Sequence, residues 1–164
     1  PEGEVEGSFT DSRQEYEFRP ELDTGVAYVK IRPGMKVEEL ENLLDYEPDG
    51  VVLEGTGLGH APVNAFDGKT QHHDEILDRL EELAGESVVA MASQCINGRV
   101  NMNVYDAGLK IQEAGVIGAE DMHPELAYVK MMWALGQAEN REEAEELFLE
   151  NVAGEISERS LYGE

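Results

Sequence analysis

Short apolar runs alternating with stretches of helical spacing constrain the fold of this chain more than anything else in it. Residues 25–32, 51–54 and 87–92 are rich in Val, Ile and Ala and are too short for helices. Between them, residues 36–46 place Val37, Leu40, Leu43 and Leu44 on one side of a helix. Residues 74–85 do the same with Ile76, Leu77, Leu80 and Leu83. A third helix over 105–114 leads to a short fourth strand over 115–118. Two more helices follow over 124–136 and 141–151, the first opened by Pro124, a residue suited to a first helical turn. Strands and helices in this order predict βαβ units. The expected fold is a small three-layer α/β/α domain with an about four-stranded parallel sheet, flavodoxin- or Rossmann-like. Residues 1–24 are polar and unpatterned and read as an acidic tail or interdomain linker. The folded domain is expected over 25–160.

Charge narrows the partners. The chain of 164 residues has 36 Asp and Glu against 12 Lys and Arg, a formal net charge of −24. Nucleic-acid binders usually present a basic face, because phosphate neutralisation supplies most of their affinity. Anionic membrane surfaces demand the same. Apolar residues still make up 41% of the chain, enough to fill a core. Uniform acid with only five Lys suits a solvent of molar salt, where the Debye length falls to about 3 Å and self-repulsion is screened. No stretch of about 18 apolar residues suggests a membrane span. The single Cys, Cys95, forms no intrachain disulfide and fits a reducing cytoplasm. The opening at Pro1 reads as that of a fragment of something longer.

In a parallel sheet, ligands gather at the carboxyl ends of the strands, near a topological switch point. The two long loops at such ends are 55–62, rich in Gly, and 93–101, rich in polar residues. The first is no phosphate loop: it lacks the Lys-Ser/Thr pair and Pro62 interrupts any helix. Cys95 is a nucleophile only with a base beside it, and His60 on the neighbouring loop is the candidate. No oriented third member is evident. His72-His73 is too short a pair for a metal site and lies in a polar surface segment, 63–73. No cofactor or metal is expected. Glu54 is either a ligand group or a partner of Arg99. Met131, Met132 and Trp133 read as core packing.

Four segments together carry a resemblance: 53–60 (Leu-Glu-Gly-Thr-Gly-Leu-Gly-His), 93–101 (Ser-Gln-Cys-Ile-Asn-Gly-Arg-Val-Asn), 114–122 (Ala-Gly-Val-Ile-Gly-Ala-Glu-Asp-Met) and 124–136. They resemble the C-terminal domain of the type I asparaginase family, and in particular its archaeal branch, the D-type subunits of glutamyl-tRNA(Gln) amidotransferase. The ending over 151–159 resembles that branch too. The resemblance implies a full-length protein that releases ammonia from glutamine or asparagine, with catalytic threonines in a larger N-terminal domain. None of those motifs occurs here, so the fragment is expected to lack activity and to hold no catalytic residue. The resemblance also implies a homodimer, a second amidotransferase subunit of the E type as partner, and tRNA held by other domains or by that partner.

Residue by residue, Gly57 and Gly59 match the family loop that reaches a neighbouring subunit's active site. His60 stands where plain asparaginases have Asn, as in the amidotransferase branch. Cys95 matches a residue of an allosteric asparagine site in some type I asparaginases, and Glu54, Gln94 and Cys95 form a possible ligand loop. The Arg that completes that site is replaced by Glu54, which cannot form a bidentate pair with a carboxylate. The segment 63–73 is longer than the family usually has. The alternatives are the C-terminal domain of a type I L-asparaginase, or a stand-alone amino-acid-binding module built on residues 57–60 with Gln94 and Cys95.

Overall fold

The computed structural model describes residues 18–158. Most of the expected acidic tail and the end of the chain from residue 159 lie outside it. Four strands and five helices follow one another as β1 (Val26–Lys30), α1 (Glu38–Tyr46), β2 (Gly50–Gly55), α2 (His72–Glu86), β3 (Val88–Ser93), α3 (Asp106–Glu113), β4 (Ile117–Gly118), α4 (Pro124–Gln137) and α5 (Arg141–Leu149). All strand pairs are parallel and the sheet order is β1-β2-β3-β4. The three-layer α/β/α expectation holds.

Alternation along the central strands divides the core in two. Val51, Leu53, Val89 and Met91 face Leu40 of α1, Ile76, Leu80 and Leu83 of α2, and Ile111 of α3. Val52, Val88, Ala90 and Ala92 face Ala127, Met131 and Ala134 of α4 and Ala144 and Phe148 of α5. Each fully buried aliphatic side chain contributes about 1.5–3 kcal/mol. Helices α1–α3 share one face, as right-handed crossovers stepping steadily in one direction require. The chain then crosses the sheet, and α4 lies over β1 and β2. It lies close: a Cβ on Gly50 would sit 2.7 Å from a Leu135 methyl. Residues 21–23 run along the end of α4, where Asp23 N donates to Met132 O at 2.8 Å and Gln137 Nε2 donates to Glu21 O at 2.8 Å.

Two expectations change. The strand order never reverses, so this sheet contains no topological switch point of its own. Helix α2 begins at His72, not at Asp74, which puts His72 and His73 in its first turn and not in a surface excursion.

Candidate functional site

The sheet ends on one side in two loops that are tied together by backbone and by Ser93. Gln94 N donates to Gly55 O at 2.9 Å, continuing the pairing of β2 with β3 past the sheet. Ser93 Oγ donates to Gly57 O at 2.6 Å and accepts from Cys95 N at 2.9 Å. Asn101 N donates to Leu58 O at 2.9 Å. Within the first loop, Thr56 and His60 form an antiparallel bridge, with both backbone N–H groups donating to the opposite carbonyl. The turn between them requires glycine. Gly59 has φ +93°, and a Cβ there would come within 2.8 Å of a Val100 methyl.

His60 is half-buried and packs edge-on to Tyr105, ring centroids 5.5 Å apart. Burial pushes its imidazole below the usual range, outweighing the opposing hydrogen bond with Thr56. Its Nε2 is out of solvent and has no hydrogen-bond partner. Cys95 is exposed with a free thiol. Among the described residues no hydrogen bond joins the two, the contact a nucleophile and its base would make. Gln94, also exposed, offers its amide to solvent.

Glu54 has other partners than the sequence suggested. Its carboxylate accepts from Lys30 Nζ and, at 2.5 Å, from Tyr28 Oη. Both donors stand on β1, and Lys30 is the residue in register with Glu54. Burial works against the ionised form, but these two hydrogen bonds prevail and hold the carboxyl below its ordinary value. Arg99, the partner considered for Glu54, instead pairs with Glu120 at 2.9 Å and lies 3.8 Å from Asp121. It also donates to the carbonyls of Ser157 and Glu158. The loop over 93–101 is thereby pinned to the end of β4 and to the last described residues.

Sequence reasoning placed Ser93 and Arg99 in the candidate loop without the contacts they make, and missed Tyr105 as the neighbour of His60. Ser93 closes β3 and sits beside Gly57 only because β2 and β3 are neighbours in parallel register. Among the described residues no cluster of His, Cys, Asp and Glu is placed to hold a metal ion. Among the described residues no helix is long and apolar enough to cross a membrane.

The family model of the glutaminase/asparaginase C-terminal domain matches residues 25–148. The D-type subunit of glutamyl-tRNA(Gln) amidotransferase from Pyrococcus abyssi is 44% identical over 162 residues, covering 96% of this chain and 34% of that protein. Its counterpart from Thermofilum pendens is 49% identical over 138 residues, covering 84% and 28%. Among solved structures, the thermostable L-asparaginase from Thermococcus kodakarensis superposes with a TM-score of 0.80 at 35% identity, over 93% of this chain and 44% of that one. L-asparaginase I from Vibrio cholerae does so with a TM-score of 0.75 at 28% identity, over 88% and 41%. The chain therefore spans about a third of the curated relatives it matches. By sequence over 25–148 and by fold, it belongs to the glutaminase/asparaginase C-terminal domain family.

Proposed function

We propose that the chain is the C-terminal domain of the D-type subunit of an archaeal glutamyl-tRNA(Gln) amidotransferase. The whole protein hydrolyses the amide of glutamine or asparagine, and the ammonia converts Glu-tRNA(Gln) to Gln-tRNA(Gln). The observation that carries this reading is the 44% identity to such a subunit across nearly the whole chain. Identities to the L-asparaginase structures are lower, 35% and 28%. His60 at the head of the glycine loop supports the same branch. The domain's part is to complete a site whose reacting groups lie elsewhere. The loop of Gly57, Gly59 and His60 reaches into the neighbouring subunit of a homodimer, and His60 Nε2, unpartnered here, awaits a group from outside the chain. The E-type subunit of the amidotransferase takes up the ammonia and, with other domains, holds the tRNA. A charge of −24 suits a domain that stays off the phosphates.

Ammonia release from glutamine and asparagine by the 164-residue chain tests this. No release above a heat-unfolded control is expected. Turnover that vanishes in His60→Ala or Cys95→Ala would overturn it.

The acidity itself belongs to a cytoplasm of molar salt. Thermal midpoints measured from low to molar KCl should rise, because screening relieves self-repulsion. A level or falling midpoint defeats that reading.

A further inference from the structure

A hollow of about 470 Å³ opens beside the carboxyl ends of β1 and β2, lined in part by Thr56, Ala61 and Pro62 at the foot of the glycine loop. Its lining is unlike the rest of the molecule. Arg32, Lys69, His72 and His73 supply four of its eleven residues, and none of the eleven is Asp or Glu. In a chain with 36 acids and 12 Lys and Arg, that reverses the prevailing sign. The floor is apolar, from Ile31, Ala61 and Pro62.

The cationic side of this wall is not wholly consumed internally. Lys69 is exposed and its ammonium forms no ion pair among the described residues. Beside it His72 and His73 stand ring against ring, edge to face with centroids 4.6 Å apart. Arg32 is the exception: it shares its charge with Glu39 at 2.8 Å. Its side chain is still 53% exposed, and the residue lines the hollow. The segment that delivers Lys69 and Thr70 is itself ordered by hydrogen bonds. Phe66 N and Asp67 N both donate to Thr70 Oγ1, and His73 Nδ1 is 2.9 Å from Asn64 O. This is the segment over 63–73 that the proposed function leaves without a role.

We infer that the hollow binds a small organic oxyanion, a phosphate or carboxylate head seated against Lys69 and Arg32 with a short apolar body on Ile31, Ala61 and Pro62. The volume is well beyond that of a bare phosphate, and the apolar floor favours a head that carries a body. This site is independent of the amide chemistry proposed above.

Calorimetric titration of the 164-residue chain decides it, in the lowest KCl that keeps the chain folded. Phenyl phosphate and benzoate distinguish the two heads, inorganic phosphate tests the need for a body, and benzyl alcohol is the uncharged control. Saturable binding of phenyl phosphate or benzoate is expected, tighter than inorganic phosphate, with none for benzyl alcohol. Lys69→Ala and Arg32→Ala should each weaken it about tenfold, the usual worth of one charge-assisted contact. Arg141→Ala, on α5 across the sheet, should leave it unchanged. Amide NMR shifts during the titration should fall on residues 69–74. No saturable binding of either anion overturns the inference. So does binding indifferent to both Lys69→Ala and Arg32→Ala, or shifts centred elsewhere.

Discussion

Lys130 and His60 are both drawn out of water, and the protein treats them in opposite ways. Lys130, on α4, is 7% exposed. Its ammonium meets Glu155, donates to Glu150 O at 2.7 Å and lies 5.2 Å from the centre of the Trp133 ring. Glu155 in turn accepts from the backbone N–H groups of Val152 and Ala153. Burying two charges costs several kcal/mol each, and only a complete set of partners offsets it. Here the set is complete within the chain, and it fastens the residues after α5 to the back of α4. His60 has no such closure: its Nε2 is out of solvent and unmatched. The contrast separates a buried polar group whose partners the chain supplies from one whose partner it does not supply among the described residues.

The largest test of the contrast is Lys130→Met. It keeps the aliphatic bulk and leaves Glu155 buried without its cation. A loss of about 3 kcal/mol in urea unfolding is expected, the low end of the cost of breaking a buried pair. A loss below about 1 kcal/mol, the worth of an exposed pair, would make the clasp ornamental. The second test is pH. Burial raises the Glu155 carboxyl, but the Lys130 hydrogen bond and the backbone donors outweigh it and hold the group at about 2. A group depressed in the folded state stabilises above its unfolded value and loses that contribution as pH falls through the folded one. The stability difference between wild type and Glu155→Gln should therefore be constant above about pH 5.5 and shrink between about 4.5 and 2, by up to about 3 kcal/mol. Taking the difference cancels the opposite effect of protonating the many surface carboxylates. His60 supplies the counterpart. Its depressed imidazole stabilises above the unfolded value, and that share fades as pH falls below about 6.5. His60→Gln should remove this smaller slope from a titration of the unfolding free energy.

How much of this was legible follows from the range of the interactions. Strand β2 shows in the sequence because it is buried along its whole length, and 51–54 is an unbroken apolar run closed by Glu54. The glycine loop shows because a backbone at φ +93° admits little else. Lys30 as the partner of Glu54 does not show, since the pairing depends on the register of two parallel strands 24 residues apart. Glu155 as the partner of Lys130 is hidden for the same reason, across a helix and a turn. The start of α2 was missed because His72 and His73 follow a polar stretch and carry no apolar period. Their place in a helix is decided by the turn at Asp67 and Thr70, whose side chains bond each other and the local backbone.

The smallest effects belong to the open edge. Ser93→Ala removes one hydrogen bond to Gly57 O and one from Cys95 N, both near solvent. About 1 kcal/mol of stability should go, with greater amide exchange at Gly57 and Cys95. Cys95→Ser should change thermal stability by less than about 0.5 kcal/mol, since an exposed thiol without a partner holds nothing in place. That near-zero value would be the sharper result of the two. If Cys95 costs as much as Ser93, the loop over 93–101 is braced by its side chains as the Lys130 clasp is, and it is no longer free to meet a partner. If Ser93 alone matters, the edge is a rigid backbone frame carrying Gln94, Cys95 and His60 uncommitted, the form a domain needs when the groups it must meet are supplied by another part of the assembly.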